Sequence, residues 1–427
     1  MYFKMSRRNR FDSLYAILIL LFLIGPSINF YINFFVQSVL KMNLSVSIIF
    51  YFLMSVGGVF CLINSFYKNG CYLFVYLSLF IVVCLSGIFY STISKNVFVD
   101  LLNPVYSRPY VLFVYCIPLM FFMIEHFRNT EEKIKKYIWP FLFVNLLLGL
   151  LNYFFVIKDG LTMQYMTFSY NLLMPTVGSF VYLVFYKKAR FRILFAIFGL
   201  LGVLCILFSG ARGALISLIL SLISIVFFHG KITIEKALFL LVFLVTLITF
   251  IIFFNSIING LIDISEQLGI NQTRTLTKIL DNSLLSDDGR LWRYDMVFKG
   301  ILNNPFGYGV YGDWICCDKY GGTATYVHCL PIELMADFGI IFGPLFFVLL
   351  CFNLFRTLKS KQSYLMFVLV PVSFFQLLFS GSFMWEVSFF AMIGLFIASY
   401  SKKENENSNY KYPMLFREHR QNLKKHT

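Results

Sequence analysis

Apolar runs of about twenty residues recur from one end of this 427-residue chain to the other, and they decide what it can fold into. A run of that length crosses the hydrocarbon core of a bilayer as a helix. Within lipid every backbone N–H and C=O needs a partner inside the protein, and runs this uniformly apolar do not alternate as barrel strands do. Composition agrees: 59% of residues are hydrophobic, 13% are charged and the mean hydropathy is +0.76, too little polar surface to cover a soluble protein. The expected fold is all-α, a polytopic integral membrane protein of about twelve transmembrane helices with one long outer loop that carries short helices.

The spans fall near Ser13–Phe35, Leu44–Ile63, Cys71–Tyr90, Tyr110–Phe127, Ile138–Ile157 and Tyr170–Tyr186. They continue near Phe191–Phe208, Gly213–Phe228, Ala237–Ile258, Pro331–Leu354, Tyr364–Phe379 and Met384–Ala398. Residues 1–259 are thus expected to hold the first nine spans, 260–330 a long outer catalytic loop, 331–400 three more spans, and 401–427 a basic, polar tail. "KMSRRNR" before the first run reads as the flank of a first anchor, because no small-residue cleavage site follows. Most of the 36 Lys and Arg, including "KIKK" at 133–136, "KKARFR" at 187–192 and those of the tail, fall on one side of this arrangement. The positive-inside rule puts that side and both termini in the cytoplasm. The net charge of +15 is mostly this asymmetry, so no nucleic-acid partner is needed to explain it.

Nine cysteines carry little chemistry. Six lie in or beside spans, where Cys is a small apolar residue. Cys316, Cys317 and Cys329 lie outside, where a disulfide is one reading, but their spacing with His328 matches no zinc site. No metal and no other cofactor is expected.

The long connection, Gly260 to His328, contains "SDDGRLWRYDMVFKGILNNP", whose spacing predicts an amphipathic helix begun by Asp287 or Asp288 and ended before Pro305. Leu291, Tyr294, Phe298, Ile301 and Leu302 form its apolar stripe, with Arg290 and Arg293 together on another face. "GYGVYG" at 307–312 has the G-x-G-x-x-G spacing, yet no strand precedes it, so these glycines read as tight turns that let the backbone approach something closely.

Outer cations are what the topology rule leaves unexplained. Arg212, in "FSGARGAL", sits where a helix begins on the outer side, with no acidic neighbour and with Gly213 beside it. Helix N-terminal amides and a guanidinium together favour an anion, although an arginine snorkelling to the headgroups fits the same position. His328 precedes "CLPIEL", another helix start, and is the one histidine of five expected outside. Neighbouring arginines disfavour imidazolium, so His328 should be neutral and able to accept a proton, the alternative being an ordinary interfacial histidine. Glu333 and Asp337 share one face of that helix and would pair with outer arginines or bind an acceptor; Glu386 could do either. Trp292, Trp314 and Trp385 suit an interfacial belt or sugar stacking. A ligand that wants several guanidiniums is a diphosphate, and outside the cell an energy-rich diphosphate has to arrive on a membrane lipid.

These segments resemble the O-antigen ligase and O-antigen polymerase superfamily of bacterial envelope enzymes. "FSGARGALISL" is similar to its outer S-G-S-R-G turn, "GRLWRYDMVFKGILNNPFGYGVYGDW" to its G-R-x-x-x-W and P-x-x-G-x-G segments, and "HCLPIELMADFGIIFG" to its H-N-x-x-x-E segment. Trp292 stands closer to Arg290 than in that pattern, Cys329 replaces its Asn, and three residues separate Gly339 from Gly343 where it has two. The resemblance implies a metal-independent glycosyltransferase of the bacterial inner membrane, working on the periplasmic side on a polyprenyl-diphosphate-linked oligosaccharide. The residues supply a matching reaction, inverting transfer to an acceptor hydroxyl deprotonated by His328 or a carboxylate, with Arg212, Arg290 and His328 expected to be catalytic and Arg293, Trp292, Glu333 and Gly213 to bind substrate. Polymerisation of lipid-linked repeat units is the favoured reading, ligation to lipid A–core the alternative, and a transporter or flippase the reading from another class. Besides the bilayer, a flippase and a chain-length regulator are the further partners implied.

Overall fold

A computed structural model describes residues 7–42, 45–93, 108–159, 165–186, 191–209, 211–228, 290–322, 325–359 and 364–411, with isolated positions between 259 and 267. Among these every regular element is helical and there is no strand. The helices are α1 (Arg7–Phe34), α2 (Val46–Lys68), α3 (Cys71–Ile93), α4 (Ile117–Asp159), α5 (Tyr165–Phe185), α6 (Arg192–Ser209) and α7 (Arg212–Phe228). The second half has α8 (Arg290–Asn303), α9 (Gly312–Gly321), α10 (Leu330–Lys359), α11 (Tyr364–Val370) and α12 (Val387–Lys411). Five stretches are long and apolar enough to cross a membrane, Phe11–Val39, Val46–Lys68, Pro109–Phe155, Met166–Phe185 and Leu330–Lys359, and five shorter apolar helices accompany them. The protein is therefore a multi-pass, all-α membrane protein. The expected span Ala237–Ile258, the helix-capping Asp287 and Asp288, and most of the loop from Gly260 to Gly289 lie outside the described residues, as does the tail after Lys411.

Helical structure runs unbroken through α4, where the sequence suggests two spans. The packing shows that it nevertheless folds back. Tyr115 packs on Phe22 of α1, while Phe122 and His126 pack on Tyr15, so this limb runs antiparallel to α1. Further on, Asn152 Nδ2 donates to the Tyr31 carbonyl at 3.0 Å and Phe155 packs on Phe35, so the second limb runs parallel to it. A straight helix from Tyr115 to Asn152 would be about 55 Å long, against about 14 Å between Phe22 and Tyr31. The change of direction lies between His126 and Asn152, and Pro140 within that stretch leaves the Lys136 carbonyl without its helical donor.

This fold-back gives the bundle two unlike ends. Arg128, Lys135 and Tyr364 meet at one: Arg128 donates to the Ala398 carbonyl, and Lys135 pairs with Glu131 and Glu132 and lies over the Tyr364 ring. The other end carries α8, α9 and the start of α10. Between them helix backbones approach closely, as where Gly394 of α12 lies on the Met120 backbone of α4. Close approach of this kind replaces the hydrophobic drive that lipid cannot supply.

Two expectations need correction here. Pro331–Leu354 is not one straight span: Gly339 has φ +82° and ψ 176°, which breaks α10 in two. Residues 330–338 lie with the loop helices, and the apolar Ile341, Phe342, Val348 and Phe352 of the following part are exposed as lipid-facing residues are. The stripe of α8 is also different. Tyr294 and Ile301 face inward with Met296 and Val297, but Leu291, Phe298 and Leu302 are exposed. Periodicity registers apolar faces without saying whether protein or lipid covers them.

Candidate functional site

The site is built on the break at Gly339. Its backbone conformation is essentially confined to glycine, and a Cβ there would strike the Pro305 carbonyl. The break exposes two carbonyls of α10 that a continuous helix would use. Tyr308 N–H donates to the Ala336 carbonyl at 2.8 Å, Gly309 N–H to the Asp337 carbonyl at 2.9 Å, and Ile340 N–H returns to the Pro305 carbonyl at 2.9 Å. The "GYGVYG" segment thus approaches the kinked backbone itself, and Gly307 (φ +85°) has no room for a Cβ against Asp337. Asp337, buried, adds a side-chain bond from Gly312 N–H at 2.7 Å. Asp313, also buried, accepts from Trp314 N–H and from Val327 N–H, both at 2.9 Å. These bonds fix α9 and the residue before His328, while burial and the neighbouring Asp313 hold the Asp337 carboxyl well above the usual carboxylate range.

His328 sits at φ +59°, left-handed for a residue with a Cβ. Its ring lies on Tyr326 at 3.9 Å between centroids; Tyr326 stacks on Trp314 and meets Trp385 edge-on at 5.3 Å. Nδ1 is buried without a hydrogen-bond partner. Burial, then the positive charges of Arg293 and Arg290, hold the imidazole down at about 3, so it is neutral at ordinary pH, as the sequence suggests. Arg290 and Arg293, three apart on α8, therefore face His328 together. Among the described residues neither has a carboxylate within ion-pair distance, and Arg293 Nε is buried without a partner.

Arg290 also lies within electrostatic reach of the Tyr170 hydroxyl on α5, which stands where a Cβ on Gly213 would be. Tyr170 so links α8 to the start of α7, whose first residue is Arg212. The direction of the Arg212 side chain lies outside the described residues, as does Gly210. A Cβ on Gly213 would strike the Tyr170 hydroxyl and crowd Phe379, so this packing calls for glycine here.

Other expected residues lie apart from this cluster. Trp292 turns the other way on α8, where its indole packs on Gly321 at the end of α9. Glu333 is buried; it accepts from the Ser382 hydroxyl and from Phe383 N–H at 3.4 Å, tying α10 to the turn before α12. Among the described residues neither Glu333 nor Asp337 pairs with an arginine. Cys329 stands at the cap of α10 with its thiol on the Ile332 N–H, so the chain satisfies part of that helix terminus itself. All nine cysteines are free thiols, and Cys316 packs on Gly300. Asp313, Tyr170 and Tyr326 are the residues that sequence reasoning misses: each matters through a partner far away in the chain, and a lone Asp or one of 26 tyrosines carries no local signal.

A family model described as O-antigen ligase matches residues 197–347, from α6 into the second part of α10. No curated protein and no solved structure matches the chain. The matched segment contains Gly213, α8, the glycine segment, His328 and the break at Gly339, and over this third of its length the chain is similar to the O-antigen ligase family.

Proposed function

We propose that the protein is a polymerase of O-antigen or a related surface polysaccharide, joining polyprenyl-diphosphate-linked repeat units on the outer face of the bacterial inner membrane. The observation that carries this reading is the approach of two arginines, without carboxylate partners among the described residues, to a buried, neutral histidine. Arg290, Arg293 and Arg212 hold the diphosphate, and His328 takes the proton of the acceptor hydroxyl. The acceptor oxygen then bonds to the anomeric carbon from the face opposite the leaving group, and the electrons of the breaking C–O bond leave on the diphosphate. One such displacement inverts the anomeric centre. Guanidiniums already in place stabilise the growing phosphate charge, so no divalent ion is required.

The low basicity of His328 fits this scheme. An imidazole held at about 3 is a weak base in the free protein. A bound diphosphate cancels the arginine charges beside it and raises its basicity when substrate is present. The basic end of the bundle, with Arg128, Lys135 and Lys136, is assigned to the cytoplasm, which leaves His328 outside. The ligase reading has one observation in its favour, the description of the matching family. Purified protein is incubated with a lipid-linked repeat unit and no nucleotide. A ladder of lengthening products is expected; transfer only after lipid A–core is added would replace polymerase by ligase, and no new glycosidic bond would overturn both.

A further inference from the structure

Trp385 has a second neighbour besides the histidine cluster. On its other side lies a cavity of about 310 Å³, bounded by α1, α2, the segment before α4, α5 and the start of α12. That is near the lower end of the roughly 300–1,000 Å³ of small-molecule sites, room for a ring-sized ligand. Much of the wall is apolar, from residues such as Phe22 and Met54, but Asn171, Gln376, Glu386 and Ser388 also line it.

Two of these polar groups are under-used. Glu386 caps α12, accepting hydrogen bonds from the Ser388 hydroxyl, at 2.9 Å, and from the Ser388 backbone N–H. A carboxylate offers about four acceptor positions, so capacity remains, and no described cation pairs with it. Gln376 Oε1 is buried with no hydrogen-bond partner. A prenyl chain in this cavity would leave the Gln376 acceptor unsatisfied, at a cost of about 1–3 kcal/mol, and the remaining acceptor positions of Glu386 unused. A ligand rich in hydroxyl donors, with a C–H face for an indole, satisfies them.

We propose that this cavity is a sugar subsite, in which Glu386 and Gln376 accept hydrogen bonds from the hydroxyls of one ring of a lipid-linked glycan and Trp385 forms the wall shared with the His328 cluster. The assignment rests on the glycosyl-transfer reading above. The ring belongs to the glycan of either the donor or the acceptor, since the chemistry is common to both.

The test is saturation-transfer NMR on the full chain in nanodiscs, with glucose, galactose, rhamnose and N-acetylglucosamine as separate probes. At least one of these sugars should receive saturation, and Glu386→Gln and Gln376→Leu should each weaken its binding about fivefold or more. Farnesyl diphosphate, followed by its phosphorus signal, should bind both variants as it binds the wild type, which reports that they are folded. In the transfer assay a raised KM for acceptor assigns the ring to the acceptor, and a raised KM for donor assigns it to the donor. Absence of saturation for all four sugars, equal saturation in both variants, displacement of the sugar by farnesol, or a fall in kcat with neither KM changed would overturn the subsite. Failure of farnesyl diphosphate to bind the wild type, with the sugar signals as expected, would instead overturn the diphosphate reading and leave the subsite in place.

Discussion

Replacing Arg293 by Gln should raise the pKa of His328, and replacing Arg290 as well should raise it further. The gap between the usual 6.5 and about 3 corresponds to about 5 kcal/mol, at about 1.4 kcal/mol for each pH unit. Burial is the largest of the three causes, so it supplies at least a third of that gap, and removing both arginines can recover at most about two thirds. The double variant should still titrate below 6.5. The sign for stability follows. Below pH 6.5 the unfolded chain takes up a proton here that the folded chain refuses until about pH 3, so the folded segment loses stability as pH falls through that window. Both variants narrow the window and lessen the loss. The measurement is an NMR titration of protein labelled in its histidine rings, with the signal assigned by its disappearance in His328→Gln. A wild-type signal titrating near 6.5, or one unmoved by loss of both arginines, would refute the placement of these groups.

His328→Ala should insert and fold yet lose about 10²–10⁴ in transfer rate, the usual loss for a general base; near-normal rates across pH would put the base elsewhere. Arg212→Lys keeps the charge but loses the paired hydrogen bonds of a guanidinium, so turnover should fall roughly ten- to a hundredfold, and full activity would make Arg212 a membrane anchor. Gly213→Ala should cost about 1–3 kcal/mol by crowding the Tyr170 hydroxyl, and Tyr170→Phe in the same chain should restore most of it in thermal unfolding; no rescue would mean that Tyr170 is not the obstacle. Transfer should persist in excess EDTA, and loss that a divalent ion restores would contradict the role given to the arginines.

How much of this the sequence reveals depends on the range of the interaction concerned. Helix positions are legible because an apolar run records its own length: α1, α2 and α5 begin and end close to the expected spans. The pairing of Arg290 with Arg293 is legible too, since three residues along a helix put them on one face. The two limbs of α4 are legible as two spans from their apolar stretches, and their opposite packing on α1 agrees with that reading. What escapes is anything settled by a distant partner. That a Cβ on Gly213 would strike Tyr170, and that Glu333 accepts from Ser382 and Phe383, is set by residues far away in the chain. Trp292 differs from its neighbouring arginines only by its angle around α8, which turns it to Gly321.

His328 shows why position along the chain is an incomplete guide to such a site. Its left-handed backbone is disfavoured by about 1–2 kcal/mol for a residue with a Cβ, and nothing in "TYVHCL" demands it. It persists because both neighbours are held. Val327 N–H is bound to buried Asp313, the Cys329 carbonyl accepts the Glu333 N–H at 2.9 Å, and the ring itself rests on Tyr326. Asp313 in turn belongs to α9, which Asp337 anchors through Gly312 to the helix broken at Gly339. The conformation of one imidazole therefore depends on a glycine eleven residues further on, and the strain at His328 is offset by bonds that exist only when α9 and both parts of α10 are in place. A motif records the residues at the ends of that chain of contacts; the buried carboxylates that connect them are what turn the motif into a site.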